Sequence, residues 1–338
     1  MTPTPGPRNS LTDISGLRVG CAEDAAARTG VTVIYPEKSA VCAVDVRGGG
    51  PGTRETDALS PETLVDRIDA LVLAGGSVYG LAAADAVAAE LGARGRGFSL
   101  VARDGVPVSP IVPAAILYDL ANGGDKAWGA APPYRALGRQ ALENVSENIP
   151  LGDAGAGCGA MAGALKGGQG TASITLSNGG NVAALAAVNS FGSVLMPGTN
   201  CFWAWPFEID GEFGGVRPEK DIPSAAGLPD DTKFGARPRE NTTIACVATD
   251  FILTPAEARR VAIMAQDGLS RAIRPVHAPT DGDVVFALST GEKPLPEPGL
   301  LSIMEIGSAA ADCLARAVAR GVFEAGAAGY GTAYRAGI

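Results

Sequence analysis

The stretch Arg239-Glu240-Asn241-Thr242-Thr243-Ile244-Ala245-Cys246-Val247-Ala248-Thr249-Asp250 constrains this chain most. A polar, proline-broken approach ends at Asn241, and a run rich in Thr, Ile and Val starts with no turn between them. Such a run reads as a buried β-strand with two hydroxyl residues at its mouth. If the Asn241–Thr242 bond is cut, Thr242 carries a nucleophilic hydroxyl and a free α-amine to activate it. The plain alternative is a strand that begins on a polar residue. This stretch alone does not separate the two.

The remaining sequence reads as a layered α/β chain. Residues 1–10 are Pro/Thr-rich and are expected to form a loose, flexible tail, with one catalytic domain over 11–338. Strands are expected at 31–35, 40–46 and 70–73, with a charged glycine-rich loop at 47–56. Ser60 and Pro61 read as the N-cap and first residue of a helix. Gly75-Gly76-Ser77-Val78-Tyr79-Gly80 precedes an alanine-rich helix over 81–91, an order that resembles a phosphate cradle. It lacks both the Gly-Lys-Ser/Thr ending and the dinucleotide spacing, so close backbone packing explains these glycines equally well.

A short helix is expected after the excursion that opens at 122, and a second glycine-rich block spans 152–170. Residues 172–176 and 182–188 read as an antiparallel pair around Asn178-Gly179, with Asn189 at the end of the second strand. The Pro/Gly-rich segment 197–239 reads as a mobile linker. Thr254-Pro255-Ala256-Glu257 is a capping box opening a helix with an apolar stripe. A strand at 284–289 and a long helix at 302–325 complete the chain.

Composition narrows the chemistry. Hydrophobic residues make up 46% and charged residues 19%, enough for a large core. The net charge of −9, without a Lys/Arg cluster, argues against nucleic acid or an anionic membrane as partner. The six cysteines are scattered, with no Cys-x-x-Cys, and read as core thiols. Residues 1–10 lack the apolar core of a signal peptide, and no apolar run is long enough to cross a membrane. A cytoplasmic protein is expected.

A Ser-His-Asp triad would have to use His277, the single histidine, and no Gly-x-Ser-x-Gly elbow is present. One histidine and scattered cysteines do not compose a metal site, and the nicotinamide fingerprint is absent. No cofactor is expected. A hydroxyl nucleophile that uses its own amine as base needs none of these.

Several motifs then carry a resemblance. Arg47-Gly48-Gly49-Gly50-Pro51-Gly52-Thr53-Arg54-Glu55-Thr56-Asp57, Gly75-Gly76-Ser77-Val78-Tyr79-Gly80-Leu81 and Val112-Pro113-Ala114-Ala115-Ile116-Leu117-Tyr118-Asp119 are three of them. Lys166-Gly167-Gly168-Gln169-Gly170-Thr171, Asn241-Thr242-Thr243-Ile244 and the segment from Arg274 to Asp283 follow in order. Together they resemble the L-aminopeptidase/D-esterase family of self-cleaving hydrolases. The Asn-Thr-Thr-Ile junction and the Asp-Gly-Asp triplet are most similar to its nylon-oligomer-hydrolase branch.

The resemblance implies a four-layer αββα sandwich of the N-terminal-nucleophile-hydrolase type. It also implies cleavage into 1–241 and 242–338, and a homotetramer. It makes Thr242 the nucleophile, Asn241 the residue before the cut, and Asn189 the oxyanion donor, a role worth about 3–4 kcal/mol. Tyr118 is implied near the substrate carbonyl or leaving group, and Asp281 and Asp283 as the acidic pair that orients the new amine and hydroxyl. Lys166 is the candidate for lowering the amine pKa by like-charge proximity, although the family's lysine falls opposite Ala164. Without the resemblance, Tyr118 reads as a half-buried core tyrosine, Asp281 and Asp283 as turn residues, and His277 as a hydrogen-bond partner to that turn.

The expected function is hydrolysis of linear aliphatic amides, 6-aminohexanoate oligomers or small peptides. One alternative is an aminopeptidase or esterase acting on β- or D-residues. Another is a non-catalytic nucleotide-binding module built on 75–80, and a third is an unprocessed structural protein.

Overall fold

The computed structural model describes residues 3–219, 231–233, 241–326 and 331–337. In chain order its strands are β1 (Leu17–Asp24), β2 (Thr29–Pro36), β3 (Ala40–Val46), β4 (Thr53–Arg54), β5 (Arg67–Ile68), β6 (Leu71–Ala74) and β7 (Ala114–Ile116). They continue with β8 (Met161–Ala162), β9 (Leu165–Lys166), β10 (Gly168–Thr175), β11 (Asn181–Asn189), β12 (Thr242–Phe251) and β13 (Val284–Lys293). The α-helices are α1 (Ala82–Ala93), α2 (Tyr134–Glu143), α3 (Pro255–Ala272) and α4 (Gly299–Phe323).

One sheet runs β10-β11-β12-β13-β3-β5 and the other β1-β2-β6-β7-β4. Helices α3 and α4 cover the outer face of the first, and α1 and α2 that of the second. The result is the expected four-layer αββα sandwich, with three cores. Val87, Leu91 and Leu137 lie in the core between α1/α2 and their sheet, and Leu73, Leu185 and Phe286 in the core between the sheets. Leu269, Leu314 and Val318 belong to the third, under α3 and α4.

Strand β12 explains why its sequence is apolar without alternation. Ile244, Cys246 and Ala248 face the core between the sheets, while Ala245 and Val247 face α3 and α4. Both faces are buried, and each fully buried aliphatic side chain contributes about 1.5–3 kcal/mol. The chain leaves β12 into α3, where Thr254 Oγ1 accepts from Glu257 N and the Glu257 carboxylate accepts from Thr254 N. It returns as β13, parallel to β12, while β11 lies antiparallel on the other side.

Three expectations need correction. No helix starts at Ser60: a short 3-10 turn, Asp57–Leu59, is followed by turns and then by β5. The segment offers a helix no apolar face, since Leu64 is 76% exposed. Residues 3–10 are pinned rather than loose. Thr4 bridges Thr175, Gly6 N donates to Ser173 Oγ, and Ser10 caps the turn Leu11–Asp13. The expected linker is in part a packed element. Phe202 and Phe213 are buried edge to face at 5.5 Å, and Glu212 pairs with the fully buried Arg316. Residues 220–230 and 234–240 lie outside the described residues.

Candidate active site

The parallel pairing of β12 and β13 extends one step beyond both strands as a bridge between Asn241 and Asp281. This sets the start of β12 against the Asp281-Gly282-Asp283 turn, with Asn241 and Thr242 both buried. The Asn241 carbonyl, the one preceding Thr242, accepts a hydrogen bond from Gly282 N at 3.0 Å. The Thr242 hydroxyl donates to the same oxygen. A side chain at 282 would put its Cβ 2.7 Å from Thr242 Oγ1, so only glycine lets the turn come this close.

The two carboxylates hold the turn and the strand together. Asp283 Oδ1 accepts from Thr243 N at 2.8 Å, and Oδ2 accepts from His277 N at 3.1 Å and lies 2.9 Å from His277 Nδ1. His277 is thus a hydrogen-bond partner to this turn. Asp281 accepts from Ala278 N at 2.8 Å and Phe191 N at 3.3 Å, tying the turn to the residues after β11. Burial and then the neighbouring Asp283 charge push the Asp281 carboxyl up to about 7, against the backbone donors and Lys233.

The glycine-rich loop before β4 lies flat on this turn. Arg47 N and Gly48 N donate to Asp283 O, and Gly50 N donates to Asp281 O at 2.7 Å. A Cβ on Gly48 would sit 2.2 Å from Asp283 N, which accounts for glycine there.

Across the sheet, Asn189 pairs directly with Thr242. Asn189 Oδ1 accepts from Met161 N at 2.9 Å and from Lys233 Nζ at 3.0 Å, and Nδ2 donates to Tyr118 O at 3.0 Å. Tyr118 follows β7 and is half-buried. The next residue, Asp119, is buried and accepts from Thr29 Oγ1 at 2.6 Å and Gly76 N at 2.7 Å. Burial raises its carboxyl to about 6. The Gly75-Gly76 segment thereby braces the end of β7, with Gly76 N donating to Asp119 and Gly75 N to Gly30 O at 2.9 Å.

The structure therefore gathers Asn241, Thr242, Asn189, Tyr118, Asp281 and Asp283 at one end of the two sheets. Lys166 is engaged elsewhere. It is buried, pairs with Asp153 at 2.8 Å and donates to Gly157 O and Gly167 O. Strand pairing sets it opposite Met161, one residue removed from the Asn189 amide. Sequence reasoning missed Lys233, which lies in the expected linker with no local signal. It also missed the Gly282 N–H, although the Asp-Gly-Asp spacing located it.

Arranged this way, the site can offer a hydroxyl to the carbonyl preceding it, with a backbone donor already on the carbonyl oxygen. Among the described residues, no group of three His, Cys, Asp or Glu is placed to hold a metal ion. No helix among them is long and apolar enough to cross a membrane.

The family model for peptidase family S58 matches residues 9–332. The chain belongs to peptidase family S58. It is thus a hydrolase of amide bonds. A Mycobacterium tuberculosis (strain H37Rv) protein named "uncharacterized aminopeptidase" is 46% identical over 336 residues, covering 94% of each chain. The 6-aminohexanoate-oligomer endohydrolase of Kocuria sp. is 34% identical over 297 residues, covering 84% of this chain and 76% of that one.

Among solved structures, the Burkholderia sp. beta-aminopeptidase superimposes with a TM-score of 0.71 at 22% identity, covering 98% of this chain and 92% of that one. The L-aminopeptidase D-Ala-esterase/amidase of Ochrobactrum anthropi gives 0.70 at 22% identity, covering 96% and 88%. That enzyme is described as a variant of the N-terminal-nucleophile-hydrolase fold, and the S58 chain shares its architecture.

Proposed function

We propose that this S58 protein is a self-processing amidohydrolase whose nucleophile is Thr242. One observation carries the reading: the Thr242 hydroxyl lies against the Asn241 carbonyl, whose oxygen already accepts the Gly282 N–H. In self-cleavage the Thr242 oxygen bonds to the Asn241 carbonyl carbon, and the proton leaves with the Thr242 nitrogen as the C–N bond breaks. The Gly282 N–H stabilises the negative charge that develops on the carbonyl oxygen. Water then hydrolyses the ester, giving chains 1–241 and 242–338 that remain together as one domain.

In turnover the freed α-amine takes the hydroxyl proton and passes it to the leaving amine, and water resolves the acyl-enzyme. Asn189, opposite Thr242, donates to the oxyanion, with Tyr118 beside it. Asp281 and Asp283 orient the new terminus through the turn that they hold. Lys166, buried against Asp153, supports the glycine-rich block beneath Asn189. The mature enzyme is proposed to be a cytoplasmic homotetramer, and its five buried thiols suit a reducing compartment.

The substrate is a short linear amide with an aliphatic acyl chain, such as a 6-aminohexanoate oligomer or a small peptide. An aminopeptidase acting on β- or D-residues is the second reading, favoured by the name of the 46% identical relative. Release of amine from a 6-aminohexanoate dimer and from small peptides, each free and N-acetylated, tests both. Hydrolysis of free and blocked forms alike supports the amidohydrolase, and hydrolysis of free forms alone supports the aminopeptidase. Loss of all hydrolysis in Thr242→Ala is required by either. A Thr242→Ala protein as active as wild type would remove both.

A further inference from the structure

We propose that Lys233 is a positioning residue that fixes the Asn189 side-chain amide with its nitrogen presented as the oxyanion donor. The inference rests on the role given to Asn189 above and adds what enforces it. An amide can sit in its pocket in two orientations exchanged by a flip, and only one puts the nitrogen where a donor is wanted. Here the neighbours decide. Met161 N and Lys233 Nζ can only donate, so the Asn189 atom that they meet at 2.9 and 3.0 Å must be the oxygen. The Tyr118 carbonyl can only accept, so the atom at 3.0 Å from it must be the nitrogen.

Lys233 also donates to the Asn189 backbone carbonyl at 3.2 Å, gripping the residue at two points. The lysine is itself docked. Lys233 N donates to Phe191 O at 3.1 Å, and Ala164 N donates to Asp231 O at 2.9 Å. Ser193 Oγ donates to the Asp231 carboxylate, and Thr232 between them is buried. A stretch that the sequence presents as linker thus carries a cation into the site, forty-four positions along the chain from the residue it holds. Its charge also reaches Asp281, where it opposes the effects of burial and of Asp283.

The test compares Lys233→Met, Lys233→Arg, Asn189→Ala and the Lys233→Met/Asn189→Ala pair in the full chain. Turnover is expressed per cleaved site, and thermal unfolding checks that each variant folds. Lys233→Met should lower kcat by about 10- to 100-fold with KM little changed, less than the about 100- to 1000-fold loss of a whole oxyanion donor. Lys233→Arg should recover part of the rate, because it keeps a donor. In the Asn189→Ala background, Lys233→Met should lower kcat far less than it does alone, since the group it positions is gone and only its charge on Asp281 is left to lose.

Full additivity of the two substitutions, or wild-type kcat in Lys233→Met, would overturn the proposal. So would a folded Lys233→Met chain that does not self-cleave, because the scissile carbonyl is served by Gly282 rather than Asn189. An uncleaved wild type would instead remove the reading of function on which the proposal rests.

Discussion

Replacing Gly282 with alanine separates the geometry of self-cleavage from the rest of the fold. The added Cβ would lie 2.7 Å from Thr242 Oγ1, 2.8 Å from Gly50 O and 3.2 Å from Thr242 Cγ2. Ordinary contact begins at 3.4 Å, so the hydroxyl must retreat by about 0.7 Å in an interior with little free space. Gly50 cannot yield easily, because its own N–H is bonded to Asp281 O at 2.7 Å. The Thr242 side chain therefore turns or the Gly282 N–H tilts, and either change takes a partner away from the Asn241 carbonyl. The loss should be on the scale of one oxyanion donor, about 100- to 1000-fold in the cleavage rate. The assay follows intact mass against time after purification, with thermal unfolding to establish that the variant folds. A folded Gly282→Ala chain that cuts itself as fast as wild type would refute the assignment of this turn.

Two further predictions concern charge. Asp281 and Asp119 have carboxyls raised to about 7 and about 6, so between their unfolded value near 3.8 and those points the folded state holds more protons than the unfolded chain. Their contribution to stability is complete below that unfolded value and is lost as pH rises through about 6 and 7. The Asp281→Asn and Asp119→Asn variants should each flatten a series of melting temperatures over pH 4–8, and an unchanged slope would contradict the raised values. Separately, Arg316 is fully buried and bonded to Glu212, Asn9 Oδ1 and Ser173 O. Arg316→Met should cost about 3–5 kcal/mol by leaving Glu212 short of a partner, and denaturant unfolding measures it. A loss under about 1 kcal/mol would mean that Arg320, 3.5 Å from Glu212, takes over the charge.

What the sequence revealed was what short-range chemistry encodes. The run from Thr242 is unbroken because both faces of β12 are covered. The Thr254 capping box closes within four residues, and the Asn178-Gly179 turn fixes the β10–β11 hairpin locally. Asn189 could be placed because it ends a strand whose register the hairpin sets. What stayed hidden depends on partners far along the chain. Residues 3–10 are polar and proline-rich, yet Asn9 Oδ1 accepts from Ser173 N and from Arg316, contacts that no local pattern announces. Lys233 is one lysine in a Pro/Gly-rich stretch, and only the docking of residues 231–233 beside β11 makes it part of the site. Lys166 stood out because it lies in a motif. Its charge, however, is met by Asp153, a residue that only the fold brings near.

The central claim is that the chain cuts itself before Thr242, and the intact mass of the purified protein tests it directly, with wild type beside Thr242→Ala. Scaled by residue number from 34.0 kDa, wild type should give pieces of roughly 24 and 10 kDa, the smaller beginning with Thr242 and carrying the amine that this chemistry requires. Thr242→Ala should remain a single chain. A wild-type chain that stays whole over days, or a mutant that is cut at the same bond, would contradict the account.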